Sequence, residues 1–207
     1  MTQDLRHYLG QCPLVGIIRG VTPDDAEAIG AAIFEAGIRI IEVPLNSPDP
    51  LASIRRLADS LGERALIGAG TVLEPDQVAE VKAAGGRLIV SPNTNPAVIR
   101  ATIAAGLISS PGFFTPSEAF AAIGAGAHAL KFFPAEASTP AVLRAQKAVL
   151  PAHVPVIVVG GVRPDTMPAW LEAGADGFGL GSGLYVPGQP AAATADKARS
   201  YVAGLAR

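Results

Sequence analysis

Three charged residues lie in hydrophobic runs that are otherwise almost free of charge: Arg19 in LVGIIRG, Glu42 in IRIIEVP and Lys131 in HALKFFP. A charge among apolar neighbours is costly unless it is paired or used. An acid and two cations near the same ends of different predicted strands indicate a reaction centre. The alternative is a buried ion network that only fixes packing, although such networks are often no more stabilising than apolar replacements.

Lys131 is the candidate nucleophile of this centre. An unperturbed lysine has a pKa of about 10.4, so the neutral amine is scarce at pH 7. Burial beside Phe132 and Phe133 lowers this pKa, a nearby Arg19 lowers it too, and Glu42 raises it by stabilising the ammonium. The sequence does not rank these effects. A neutral lysine beside a carboxylate can nonetheless form a Schiff base while the carboxylate transfers protons.

Two glycine-rich segments predict a phosphate site. VVGGV (158–162) contains Gly160 and Gly161, and GLGSG (179–183) contains Gly181 and Ser182. Glycine lets backbone N–H groups approach an anion closely, and a serine hydroxyl adds a donor. Either segment alone is often just a tight turn. Both together, after the last two predicted strands, are typical of phosphate binding in α/β barrels.

The elements that must position these residues recur at the spacing of one strand plus one helix. A glycine follows five of the predicted helix ends, as expected of a left-handed cap, and a proline marks five helix starts, where its missing N–H costs little. Thr115 and Glu118 fit a capping box. The glycines are Gly37, Gly85, Gly106, Gly126 and Gly174, and the prolines are Pro23, Pro96, Pro116, Pro140 and Pro164.

The hydrophobic runs predict eight strands, each followed by a helix, and a short extra helix at residues 2–10. Short strands rich in Val, Ile and Leu are typical of a buried parallel sheet. We therefore expect an α/β protein, a (β/α)8 TIM barrel that forms one domain over residues 1–207. A doubly wound open sheet is the alternative, disfavoured by the lack of a GxGxxG fingerprint. The predicted strands lie near 14–18, 38–43, 65–69, 87–91, 106–110, 128–133, 154–159 and 177–181.

In such a barrel the active site lies at the carboxyl ends of the strands. Arg19, Glu42 and Lys131 belong near that end, whereas Arg39 and Arg87 stand at strand beginnings. Side-chain alternation turns Glu42 and Lys131 toward the barrel interior if their sequence neighbours face the helices. The barrel is therefore expected to bring the acid and the lysine together.

Bulk composition argues against several function classes. The net charge of −2 gives no reason to expect nucleic acid or an acidic membrane surface as a partner. A single cysteine, Cys12, excludes an intrachain disulfide, and no Cys/His set has metal spacing. No segment resembles a signal peptide or a membrane span. We expect a cytoplasmic globular protein with no metal.

Several residues near predicted strand ends allow two interpretations. Thr71 places a hydroxyl at the barrel mouth, in a functional or a structural role. Pro92 either lines the site or simply ends strand pairing. Arg163 either assists the phosphate or forms a local salt bridge. His128 precedes a strand, and a structural role is favoured there.

These residues occur in motifs that resemble those of the class I aldolases of 2-keto-3-deoxy-6-phospho sugar acids. The motifs follow the family's order and spacing over nearly the whole chain. ALKFFPAE and GAGTV together are specific, whereas VGGV and GLGS alone are not. The matching segments are IIRG (17–20), EVPLNSP (42–48), IGAGTVL (67–73), SPN (91–93), ALKFFPAE (129–136), VGGV (159–162) and GLGS (179–182).

The resemblance implies a role for each matching residue. Lys131 would form an iminium with the C2 ketone of a phosphorylated keto sugar acid, and Glu42 would mediate the proton transfers that release pyruvate. No cofactor is implied, because the iminium is the electron sink, and a homotrimer is expected. The implied substrate-binding residues are Arg19 and Thr71 at the carboxylate, Pro92 and Phe133 around the pyruvyl group, and Gly160, Gly161, Gly181 and Ser182 at the phosphate.

The segment PLNS (44–47) favours the family branch that acts on the galactonate epimer. Relatives that act on the gluconate epimer often carry an arginine where this chain has Asn46. Three alternatives stay open. The first is an aldolase for the gluconate epimer or for 4-hydroxy-2-oxoglutarate. The second is a phosphate-binding barrel isomerase or synthase in which Lys131 is only an electrostatic donor, and the third is an idle barrel that binds sugar phosphates or a partner.

Overall fold

A computed structural model of the protein describes residues 5–205. Within that range it contains nine strand segments, all paired in parallel. Each of the eight predicted strands is present, and its observed bounds lie within a few residues of the prediction. The strands are β1 Leu14–Ile17, β2 Ile40–Pro44, β3 Leu66–Gly70, β4 Leu88–Val90, β5 Ile108–Ser110, β6 Gly112–Phe113, β7 Leu130–Phe132, β8 Val156–Val159 and β9 Gly177–Leu180.

The strand order identifies a nearly closed parallel barrel. The order is β5-β4-β3-β2-β1-β9-β8-β7-β6, so the first strand pairs with both the second and the last. The two ends of this order, β5 and β6, are adjacent in the chain and separated only by Pro111. The doubly wound open sheet is therefore wrong.

The additional strand segment β6 is explained by Pro111. Proline has no N–H to donate, so it interrupts strand pairing. Its carbonyl still accepts a hydrogen bond from the N–H of Lys131 at 2.8 Å, and the carbonyl of Ser109 accepts one from Ala129 at 3.2 Å. Residues on both sides of the proline thus bond to the segment that contains β7.

A helix follows each predicted strand. The extra amino-terminal helix begins at Leu5 among the described residues, and residues 2–4 of its predicted range lie outside them. No helix within residues 5–205 is both long and apolar enough to cross a membrane. The helices are α1 Leu5–Gln11, α2 Pro23–Glu35, α3 Pro50–Leu61, α4 Pro75–Ala83, α5 Pro96–Ala104, α6 Pro116–Gly124, α7 Pro140–Lys147, α8 Met167–Glu172 and α9 Ala191–Gly204.

The local stop and start signals are confirmed with one exception. All five predicted cap glycines have a positive φ, and Thr115 and Glu118 form the predicted capping box. Pro164 is the exception, because α8 begins only at Met167. The Thr166 hydroxyl accepts a hydrogen bond from the backbone N–H of Arg163, and the Arg163 carbonyl accepts one from the N–H of Thr166, which closes a turn before the helix.

Two apolar layers hold the barrel together. The larger packs the outward strand residues against the helices, and the smaller fills the barrel interior. Leu5 and Tyr8 of α1 belong to the interior layer, so this helix closes the amino-terminal end of the barrel. Arg87 lies at the same end, where it donates to the Ala65 carbonyl and to the Tyr8 hydroxyl. The opposite, carboxyl end stays open for a site.

Candidate active site

Glu42 and Lys131 both point into the barrel. Glu42 is the middle residue of β2, and its neighbours Ile41 and Val43 pack outward against the helices. Lys131 is the middle residue of β7 and has the same relation to its own neighbours. Only 1% of Glu42 and 6% of Lys131 is exposed. Side-chain alternation thus turns both inward as predicted, although both lie inside their strands rather than at the strand ends.

The two residues meet in a small cavity below the open mouth. Both line a cavity of about 20 Å³, whose other walls are mostly aliphatic side chains. That volume is about what one water molecule requires. None of the ion pairs within 4.0 Å among the described residues joins them. The cavity that both residues line therefore has room for one water beside the carboxyl group and the amine.

Lys131 lines a second, larger cleft as well, whereas Glu42 does not. This cleft has a volume of about 540 Å³, which is in the usual range for small-molecule sites. Lys131 therefore belongs to the walls of both cavities, together with Ile17, Val159 and Gly179.

Burial dominates the electrostatics of this pair. Desolvation raises the pKa of Glu42 to about 7, against the opposing effects of the Lys131 and Arg19 charges. Desolvation also lowers the pKa of Lys131, and Arg19 lowers it further, while Glu42 acts in the opposite direction. The structure thus ranks the effects that the sequence left unranked. Both groups are shifted toward their neutral forms, which suits a nucleophilic amine and a proton shuttle near neutral pH.

Arg19 lies just beyond β1 at the open end, beside Asn46 and Thr71. Its Nη1 atom donates to the Asn46 Oδ1 atom and, at 3.4 Å, to the Thr71 hydroxyl. Thr71 has a φ of 57°, an uncommon value for a residue with a branched Cβ. Such strained backbone occurs mainly at functional sites. Arg19 and Thr71 both line the cleft, where the guanidinium fork suits a carboxylate.

Pro92 and Phe133 complete the wall near the lysine. Both line the cleft, and the Lys131 ammonium lies 4.8 Å from the centre of the Phe133 ring. An aromatic face tolerates either a cation or a neutral amine, and it excludes water from the reacting nitrogen. The two residues therefore form an apolar surface beside the amine.

The glycine-rich loops form the other end of the cleft. Gly160 and Gly161 follow β8 with φ values of 112° and 65°, which only glycine adopts readily. Gly181 and Ser182 follow β9 and line the same cleft. The structure thus brings together the predicted carboxylate, pyruvyl and phosphate residues around one cavity, with Lys131 on its floor.

Sequence reasoning assigned no role to several further residues of this cleft, among them Glu136, Tyr185 and Tyr201. Glu136 is the last residue of the segment ALKFFPAE and reaches the cleft from a short 3₁₀ helix, Ala135–Ala137. No motif marks the two tyrosines, which reach the cleft from a loop and from α9. Arg163 also lines the cleft, and it pairs with Asp165 at 3.2 Å. Both interpretations of that arginine are thus compatible with its position.

Within residues 5–205, no cluster of three or more His, Cys, Asp or Glu side chains has the geometry to hold a metal ion. The titratable groups that face the reacting lysine are instead Glu42 and Arg19. A parallel α/β barrel with a buried lysine and a carboxyl group of raised pKa beside an open cleft defines the class of lysine-dependent barrel enzymes.

Comparison with known proteins identifies the family. The family model "KDPG and KHG aldolase" matches residues 5–192, and the chain belongs to this family of aldolases. The chain is 47% identical over 190 residues to the 2-dehydro-3-deoxy-6-phosphogalactonate aldolase of Escherichia coli K12, which covers 92% of this chain and 93% of that protein.

Solved structures give the same family. One described as "Native KDPGal structure" superposes with a TM-score of 0.93 at 46% identity, over 95% of both chains. The KDPG aldolase of Legionella pneumophila, solved with pyruvate as a covalent carbinolamine intermediate, superposes with a TM-score of 0.85 at 27% identity, over 98% of this chain and 100% of that one. The chain is thus more similar to the galactonate-type structure than to this gluconate-type one.

Proposed function

We propose that this protein is a class I aldolase that cleaves 2-dehydro-3-deoxy-6-phosphogalactonate to pyruvate and glyceraldehyde 3-phosphate. The observation that carries the proposal is the position of Lys131. Its amine is buried, its pKa is lowered, and it lines both the cavity of Glu42 and the ligand cleft. The similarity to the Escherichia coli enzyme supports the galactonate epimer as substrate.

The first half of the reaction forms the iminium. The neutral amine of Lys131 attacks the C2 carbonyl carbon, and the carbonyl oxygen leaves as water with one proton from that amine and one from an acid. Glu42, protonated below a pKa of about 7, supplies that proton through a water in the cavity that both residues line, which has the volume of one water molecule. The bound iminium then withdraws electrons from C3.

The second half breaks the C3–C4 bond. Glu42, now a carboxylate, removes the C4 hydroxyl proton through water, and the C3–C4 electron pair moves to the iminium and forms an enamine. Glyceraldehyde 3-phosphate leaves. The enamine takes that proton from Glu42 at C3, and hydrolysis of the resulting iminium frees pyruvate and the amine and returns a proton to Glu42. Because both anionic ends of the substrate are held, remote binding energy orients the bond that breaks.

The two ends of the cleft suit the two anions of the substrate. We assign the carboxylate to Arg19 and Thr71, and the phosphate to the loops with Gly161 and Ser182. Arg19 contributes positive charge and a planar fork at one end. At the other end, backbone N–H groups of the positive-φ loop at Gly160 and Gly161 and the hydroxyl of Ser182 are the donors.

Four further predictions, on the strand count, the domain, the location and the oligomeric state, accompany this function. We count residues 108–113 as one strand, which makes the barrel (β/α)8, and we take residues 1–207 as one domain. A cytoplasmic location also stays a prediction. We further expect a homotrimer, and exposed apolar side chains on and near α6 and α7 support an interface between copies: Phe114, Phe120, Val142 and Val149.

Borohydride reduction in the presence of pyruvate tests the enzyme class and the nucleophile together. We expect a covalent adduct on the peptide that contains Lys131 and none in Lys131→Ala. Lys147→Ala is the matched control, because that lysine pairs with Asp176 at 2.7 Å outside the cleft and should leave the adduct unchanged. An unmodified Lys131 would favour the isomerase or synthase alternative.

The substrate epimer needs a separate measurement. Cleavage rates on the galactonate and gluconate epimers should differ in favour of the galactonate compound. A strong preference for the gluconate compound would overturn this assignment while leaving the Schiff-base chemistry intact.

A further inference from the structure

Tyr201 of α9 reaches the phosphate end of the cleft from outside the barrel strands. Its side chain is 4% exposed, and its hydroxyl donates to the carbonyl of Val162 at 2.9 Å. Val162 directly follows Gly160 and Gly161 in the loop after β8. One hydrogen bond thus ties a buried helix residue to the backbone of the first anion-binding loop.

The same hydroxyl touches the second loop. A Cβ atom on Gly183 would overlap the Tyr201 hydroxyl oxygen, and Gly183 directly follows Ser182 after β9. Its φ is not positive, so the lack of a side chain there serves packing against the tyrosine rather than backbone freedom. The hydroxyl is therefore wedged between the two loops that line the phosphate end.

The chemistry of this hydroxyl indicates how it acts. A phenol has one proton to donate, and that proton is used on Val162. Burial raises the pKa of Tyr201, so the phenol stays a neutral donor over the working pH range. It acts on a bound phosphate through the loops rather than by direct donation.

We infer that Tyr201 is a positioning residue that holds the two anion-binding loops at the spacing a phosphate requires. Its hydroxyl contributes to affinity at the phosphate end and not to chemistry at Lys131. The inference rests on the proposed function only for the identity of the phosphorylated substrate.

Tyr201→Phe tests the inference. Loss of one hydrogen bond should raise the KM for the phosphorylated substrate and the Kd for inorganic phosphate about three- to tenfold. The kcat and the borohydride adduct with pyruvate should stay unchanged. Tyr8→Phe is the control outside the cleft, because the Tyr8 hydroxyl donates to the Glu63 carbonyl at 3.0 Å and accepts from Arg87 at 3.1 Å at the closed end of the barrel. That control should lose at least as much stability with no change in KM.

A second variant tests the contact between the Tyr201 hydroxyl and Gly183. Gly183→Ala in the natural protein should weaken phosphate binding, because its Cβ overlaps the hydroxyl. In a Tyr201→Phe background the next contacts of that Cβ are the ring Cζ atom at 3.4 Å and the Val162 carbonyl at 3.8 Å, both ordinary. Gly183→Ala should therefore add little to the loss in that background.

The outcomes separate this inference from the proposed function. Unchanged phosphate affinity in Tyr201→Phe, or a fall in kcat with loss of the pyruvate adduct, would overturn the role of Tyr201. If the losses of phosphate affinity from Tyr201→Phe and Gly183→Ala simply added, the contact between the Tyr201 hydroxyl and Gly183 would have no role in spacing the loops. A natural protein that forms no adduct refutes the proposed function, and titration with inorganic phosphate still tests Tyr201 in that case.

Discussion

The carboxylate of Glu42 occupies the space in which a Cβ atom on Gly70 would lie. Gly70 ends β3, the neighbour of β2 in the sheet, and its three nearest atoms to that position are all from the Glu42 carboxylate. The glycine has no positive φ, so its backbone would accept an alanine. The absence of a side chain at residue 70 therefore decides where the acid of the site sits.

Gly70→Ala should displace the Glu42 carboxylate while the barrel still folds. We expect a loss of about 10²-fold in kcat, because small misplacement of a reacting group has effects of this size. Steady-state kinetics with circular dichroism checks the prediction. Gly124→Ala is the control, since a Cβ there meets nothing within 4 Å. An unchanged kcat in Gly70→Ala would contradict the steric role.

Glu42→Gln should remove the proton shuttle and keep ligand binding. The rate should fall by about two to four orders of magnitude. Since the pKa of Glu42 lies at about 7, any step that needs its carboxylate should accelerate as pH rises through 7 in the natural protein. That limb of the pH–rate profile should be absent in the variant. A limb that persists in Glu42→Gln would assign it to another group.

The buried acid should also reduce stability at high pH. The folded protein keeps a proton on Glu42 up to about pH 7, whereas an unfolded carboxyl loses it near 4.5, so stability falls as pH rises between these values. Above pH 7, the free energy of unfolding of Glu42→Gln should exceed that of the natural protein by about 3 kcal/mol. The variant should therefore unfold at a higher denaturant concentration. The difference should vanish below pH 4.5, and a constant difference at all pH values would contradict this origin.

Lys131→Met should likewise stabilise the fold at neutral pH. The folded-state pKa of Lys131 is lowered, so unfolding takes up a proton below the ordinary value of 10.5 and stability falls as pH falls. Thermal unfolding at pH 7 and pH 10 measures the effect, which should be larger at pH 7. A variant that is less stable than the natural protein at pH 7 would favour the packing network over a reaction centre.

Ser182→Ala and Arg19→Lys should separate the two ends of the cleft. The serine variant should raise the KM of the phosphorylated substrate about tenfold and leave the adduct with pyruvate unchanged, since hydrogen bonds to charged groups have about this value. Arg19→Lys keeps the charge but loses the planar guanidinium, whose Nη1 atom donates to Asn46 and Thr71 and whose other N–H groups suit a carboxylate, so pyruvate itself should bind more weakly.

The control for the arginine is Arg39→Lys. Arg39 stacks over the Phe34 ring at 4.0 Å, at the start of β2 and away from the cleft. It should leave both binding constants unchanged. Weaker pyruvate binding in Ser182→Ala, or unchanged binding in Arg19→Lys, would contradict the assignment of the two ends.

Local sequence signals were sufficient to predict the helices and strands and to predict which strand side chains face the barrel interior. Glycine caps, helix-start prolines and the alternation around Glu42 and Lys131 depend on φ, on missing N–H groups and on strand geometry, which act within a few residues. Where such signals conflict they mislead. Pro164 resembles a helix start, yet Thr166 closes a turn there, and Pro111 divides a strand that hydrophobicity alone makes continuous.

Residue types and short spacings were enough to predict the parallel barrel, the inward acid and lysine, and the glycine loops. That burial outweighs the opposite charges at Glu42 and Lys131 follows only from the packed protein, because the dielectric around a group depends on every element packed against it. The same holds for the contacts of Gly70 and Tyr201, whose partners come from distant parts of the chain. Steric exclusion between strands and helices leaves no trace in local sequence.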